Sequence, residues 1–141
     1  MKYLLTLLIF IISLTGFSKT ETDTIMNWQL YLDDKIILQS HIMDPQVHSI
    51  TIDSAEDFKE LKLVIRSDMP RQNIRRKLMF KLGDQLVSTH IKIVREASEP
   101  LIIQKEDLIA IGPFLNNELT IVYTDSDISD EIILGKILIK K

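Results

Sequence analysis

No cysteine occurs anywhere in the chain. That single absence excludes a disulfide framework, thiol nucleophiles and thiolate metal sites. Glycine is nearly as scarce, and beyond the first 18 residues only Gly83, Gly112 and Gly135 remain. A glycine-rich loop that cradles phosphate groups has no residues from which to be built, and no G-x-S-x-G elbow is present. Aromatic residues make up only 6% of the chain, too few to suggest an interleaved platform for stacking bases or sugars. Excess positive charge is also missing: the formal net charge is −3, which argues against a nucleic-acid or anionic-membrane binder as a whole molecule.

Long apolar runs are confined to the start. "MKYLLTLLIFIISLTGFSKTETD" opens with Lys2, continues with an almost unbroken apolar run from Tyr3 to Ile12, and then turns small and polar. This order of cation, short hydrophobic core and small-residue exit reads as a secretory signal peptide over residues 1–18, with Gly16 and Ser18 at the minus-three and minus-one places of a cleavage after Ser18. The run is shorter than the roughly 20 residues a spanning helix needs, so no lasting membrane span is expected. Without a cysteine after the segment, a lipid-anchored lipoprotein is excluded. The expectation is an exported protein, periplasmic or extracellular, whose remaining roughly 120 residues form one domain large enough to bury a core.

What the mature chain does have is period-two alternation. Residues 19–25 form a polar leader, and from residue 26 onward strand-like runs follow one another to residue 141. "NWQLYLD" sets Trp28, Leu30 and Leu32 against Gln29, Tyr31 and Asp33, and "ELKLVIRS" sets Leu61, Leu63 and Ile65 against Lys62, Val64 and Arg66. In "KLMFKL", Leu78, Phe80 and Leu82 oppose Met79 and Lys81; in "LVSTHIKIV", Val87, Thr89, Ile91 and Ile93 oppose Ser88, His90 and Lys92. "ELTIVYT", "IILGKILIKK", "IILQSHIM" and "VHSITID" complete about eight strands. Turn residues fall between them: "LDDK", "LGDQ" with Gly83 suited to a type II′ hairpin, and Asn116 and Asn117 able to turn left-handed. One short helical piece, "KEDLIAIG", stops at Gly112 and Pro113. Together these predict an all-β fold, an antiparallel β-sandwich. The nearest general likeness is to immunoglobulin-like sandwiches, in architecture only, without the cysteine pair of antibody domains.

"SDMPRQNIRRKLMFKLGDQ", residues 67–85, carries five basic side chains and two acids in an otherwise acidic chain. Reading the strand from about Lys77 places residues 68–76 in a loop at one end of the sandwich, because Pro70 disfavours ladder pairing. Arg71, Arg75 and Arg76 are then the expected contact for a carboxylate, phosphate or sulfate, supported by Arg66, Lys77 and Lys81. The bland alternative is a solvated edge that resists pairing with other molecules.

Two metal readings compete. His41, Asp44 and His48 in "HIMDPQVH", with Met43 nearby, would suit copper or zinc, whereas Asp125, Asp127 and Asp130 in "DSDISDE" would suit calcium. An EF-hand is excluded, since Asp130 stands where its glycine belongs and Lys136 where its final glutamate belongs. His90 alternates with apolar neighbours and is expected to face outward. The function expected from sequence is therefore a non-enzymatic binding module without cofactor. Its partner would be a protein or an anionic glycan of the cell envelope rather than nucleic acid, with metal binding as the alternative. Intact-mass measurement on chain recovered from an exporting host is expected to give a polypeptide beginning at Lys19; a product still beginning at Met1 would mean that the apolar run stays as an anchor.

Overall fold

The computed structural model describes residues 27–40, 47–67, 72–128 and 130–141. The expected signal peptide and polar leader lie outside these residues. Nine strands appear among the described residues: β1 (Asn27–Leu32), β2 (Lys35–Gln39), β3 (Ser49–Asp53), β4 (Glu60–Arg66), β5 (Gln72–Leu82), β6 (Gln85–Glu96), β7 (Leu101–Gln104), β8 (Glu118–Asp125) and β9 (Ile132–Lys140). Between β7 and β8 run a short helix α1 (Lys105–Ile109) and a 3-10 turn at Gly112–Phe114. The strands form two sheets, one ordered β2-β1-β4-β7 and the other β3-β9-β8-β5-β6. All ladders are antiparallel except β3 with β9, which run parallel.

This is an all-β sandwich of two sheets. β1, β4 and β7 build one sheet, the chain crosses to β5 and β6, and β8 and β9 return beside β5. The strand "LIIQ" at β7 is the element that alternation alone does not single out, because four residues are too few to establish a period.

Inward positions follow the sequence pattern closely. Leu30, Leu61, Leu63, Ile65, Leu101 and Ile103 from one sheet meet Leu78, Phe80, Leu119, Ile121, Tyr123 and Ile137 from the other in one buried cluster. Each fully buried aliphatic or aromatic side chain contributes about 1.5–3 kcal/mol, which is what holds a chain without cysteine together. Both expected tight hairpins form. Gly83 takes φ +57 between β5 and β6, while Asp33 takes φ 52 between β1 and β2. The Asp33 carboxylate accepts the backbone N–H groups of Lys59 (2.9 Å) and Glu60 (3.0 Å), and these bonds hold its pKa below the ordinary value. Asn116 is left-handed as expected, φ 65, and its side chain accepts the N–H of Lys141.

Strand β6 departs from the expected facing. Lys81 pairs with Leu86 but Phe80 pairs with Ser88, so Val87 is the extra residue of a β-bulge. Val87 still packs toward the core, yet past the bulge the alternation is inverted. Ser88, His90, Lys92 and Val94 now share the inward face with Phe80, Leu78, Arg76 and Ile74, their register partners on β5. Thr89, Ile91 and Ile93 turn to the outer face with Met79, Lys77 and Arg75. His90 is therefore half-buried rather than outward, its ring edge-on to Phe80 at 5.9 Å and its Nε2 2.7 Å from the Ser88 hydroxyl. Burial lowers its pKa, opposed by the charge of Asp107.

Gly135 marks a close approach of β9 to the chain at His48. A Cβ there would stand 2.8 Å from the His48 carbonyl oxygen and 2.8 Å from Leu38 Cδ1, and the His48 carbonyl is fixed by the Lys136 N–H at 2.8 Å. Gly135→Ala is expected to destabilise the protein by about 1–3 kcal/mol, because a backbone group must move to admit the methyl. A denaturant midpoint equal to wild type would show that β9 and the chain at His48 are free to separate.

Candidate functional site

The basic stretch is a strand for most of its length. β5 begins at Gln72, with Asn73 at φ 55, and continues without a break to Leu82, five residues earlier than the sequence reading places its start. Alternation inherited from Leu78 and Phe80 carries Ile74 and Arg76 inward, and Arg75 and Lys77 outward. The cations split between two environments.

Arg76 is 1% exposed and faces the core, so its guanidinium is not part of an accessible contact. It donates to the backbone carbonyls of Glu99 and of Ala97 (2.5 Å), closing the turn that carries the chain from β6 to β7 in the opposite sheet. Glu99 reinforces this turn by accepting the N–H groups of Arg95 (2.9 Å) and Glu96 (3.1 Å), which lower its pKa. Across the β5–β8 ladder Arg76 stands opposite Asp125, itself 7% exposed. Asp125 accepts the Tyr123 hydroxyl (2.8 Å) and the Asp127 N–H (2.8 Å). Burial and the neighbouring carboxylate keep the Tyr123 phenol protonated far into alkaline solution. The arrangement neutralises and anchors; it leaves no group free for an external ligand beyond Arg76 Nε, which is buried without a hydrogen-bond partner among the described residues.

The acidic segment lies beside the basic strand in the same molecule. Ser126 N–H donates to the Arg75 carbonyl (3.1 Å), the Arg75 N–H donates to the Ser126 hydroxyl (3.2 Å), and Lys81 reaches Glu131 at 2.6 Å. The calcium reading loses Asp125 to its interior bonds, and among the described residues no three acidic or histidine side chains converge on a point. His48 is exposed. His41 and Asp44 lie outside the described residues, as does Arg71. Arg66, at the far end of β4 and exposed, pairs in register with Asn27.

What remains is the outer face of the five-stranded sheet. Met79 and Val122 are register partners there, each 3% exposed, and form a small apolar centre. Lys81 and Lys136 on this face are paired with Glu131 and Glu118. Arg75 and Lys77, by contrast, have no carboxylate within ion-pair distance among the described residues. Directly across the ladder from them stand Ile93 and Ile91 on β6, 67% and 50% exposed. An open depression of about 300 Å³ lies against Arg75, Lys77, Ile91, Thr124, Asp125 and Ser126, and Asp125, 7% exposed, is turned into its own hydrogen bonds with Tyr123 and the Asp127 N–H. Alternation in the sequence sets Ile91 and Ile93 on the face opposite His90, the side chain expected to point outward, and the bulge at Val87 brings them here.

The shifted titratable groups do not gather into catalytic machinery. Asp33 lies in the β1–β2 turn, Glu99 in the β6–β7 turn, Glu118 at the start of β8, and His90 and Tyr123 on separate strands, each with a structural partner or burial that accounts for its shift. Among the described residues no helix is long and apolar enough to cross a membrane. Comparison with protein-family models and with curated proteins matches none of them.

Arg76→Ala is expected to cost about 3–5 kcal/mol, since it leaves Asp125 buried opposite no cation and frees two carbonyls. Arg75→Ala should stay within about 0.5 kcal/mol of wild type, as an exposed side chain without an ion-pair partner among the described residues. Urea unfolding of the two variants distinguishes these roles; equal midpoints would contradict the division of the basic strand.

Proposed function

We propose that the protein is an exported, non-catalytic β-sandwich module that binds a macromolecule of the cell envelope or extracellular space through the outer face of its five-stranded sheet. The observation that carries the reading is the juxtaposition of two cations without an ion-pair partner among the described residues, Arg75 and Lys77, with two exposed isoleucines, Ile93 and Ile91. A guanidinium fork and an ammonium attract carboxylate or sulfate groups, and adjacent apolar surface adds affinity that charge alone does not give. Solvated isoleucines at alternate positions of an edge strand are an aggregation hazard that a purely decorative surface would avoid.

Export rests on the leader-like order of residues 1–18. Lys81 has a secondary part, since Glu131 already neutralises it, and Arg76 serves the site only by holding β5 and the β6–β7 turn in place. The partner is a protein or an anionic glycan; nucleic acid fits poorly with a net charge of −3.

Immobilised mature protein is expected to retain an envelope macromolecule in a salt-sensitive manner, and the double variant Arg75→Glu, Lys77→Glu is expected to lose roughly tenfold or more of that affinity. Its denaturant midpoint should match wild type. Equal retention by the two folded proteins would remove this face as the binding surface.

A further inference from the structure

Resting on that reading, the edge of β6 narrows the partner class. β6 is the last strand of its sheet and is 12 residues long, roughly 40 Å of extended chain. Among the described residues one side of its backbone faces no ladder partner. Only the end at Arg95 and Glu96 is covered, through Glu99; from Leu86 to Val94 no hydrogen bond from beyond the β5 ladder reaches this backbone among the described residues. The opposite end of the sheet is β3, only five residues long. β6 is thus a long open edge with apolar side chains at alternate outward positions.

We propose that β6 receives an extended acidic segment of another protein, which adds to the sheet as a further strand and places glutamates on the outer face. Backbone N–H and C=O groups of the edge supply affinity, and alternate side chains supply selectivity. The charge pattern selects the acid. A glutamate on the added strand lays its methylenes against Ile91 or Ile93 and carries its carboxylate toward Lys77 or Arg75, two strand spacings or about 10 Å away. An anionic glycan would meet the same cations but would use neither the unpaired backbone nor the two-residue spacing of the isoleucines. A second copy of this chain is the weaker occupant, because antiparallel pairing of β6 about Lys92 sets Lys92 against itself. Pairing about Ile91 avoids that clash but brings no carboxylate to Arg75 or Lys77.

The test uses the full mature protein and a fluorescent peptide of alternating glutamate and valine, about eight residues long. A second peptide has the valines replaced by proline, and a sulfated polysaccharide serves as the glycan. The first peptide is expected to bind and to slow amide exchange in β6 between Leu86 and Ile93. Ile93→Ser, which removes the apolar contact without adding charge, and Arg75→Glu should each weaken it roughly tenfold. The proline peptide, equal in charge but unable to donate those backbone bonds, should not bind. Equal binding of the proline peptide, or binding of the polysaccharide alone, would overturn strand addition while leaving the outer face as a binding surface. Concentration-dependent dimers that protect β6 while the peptide fails to bind would overturn it in favour of a second copy. Failure of peptide and polysaccharide alike would overturn this proposal and the reading on which it rests.

Discussion

One extra residue in β6 decides which of its side chains reach the exposed face of the five-stranded sheet. Because β5 is locked by Leu78 and Phe80 in the core, its neighbour cannot choose its own phase, and the bulge at Val87 reverses every side chain beyond it. Had the ladder run without the bulge, Ile91 and Ile93 would face the interior and Ser88, His90 and Lys92 the solvent. The observed phase instead brings two isoleucines beside Arg75 and Lys77, and turns Lys92 toward the β6–β7 turn, where it donates to the Pro100 carbonyl at 2.9 Å. The polar inward face of β6 closes the open flank of the sandwich, and its apolar outward face is left to water.

The same phase explains the division of labour among the cations. Consecutive strand residues point to opposite sides, so Arg75 and Arg76, identical in chemistry, occupy unlike environments. Arg76 satisfies carbonyls of a crossing turn and faces a buried carboxylate, a role in which its value is structural and its removal disruptive. Arg75 loses little by being exposed and is available to a ligand. Basic residues clustered in sequence are therefore not one site; a strand sorts them by parity.

One part of the charge compensation is intramolecular. The acidic residues around the end of β8 stand beside the basic strand, with Ser126 bonded to the Arg75 backbone and Glu131 paired with Lys81. Among the described residues Arg75 and Lys77 keep no ion-pair partner and stand directly across the ladder from Ile93 and Ile91, and this local pairing is what makes that part of the outer face specific enough to propose as a surface of recognition.

Local alternation was enough to determine the fold class, the inward sets of β1, β4 and the later half of β5, the hairpins at Asp33 and Gly83, and the left-handed Asn116, because each depends on side-chain period or on backbone sterics within a few residues. Four-residue β7 escaped it for want of a period. Tertiary structure alone decided the inversion of β6, the burial of Arg76 and the nearness of the acidic segment, since each depends on which residue of a distant strand lies opposite. A bulge has no compositional mark in "LVSTHIKIV"; it exists only when the register of β5 against β6 is fixed by a core that both sheets share.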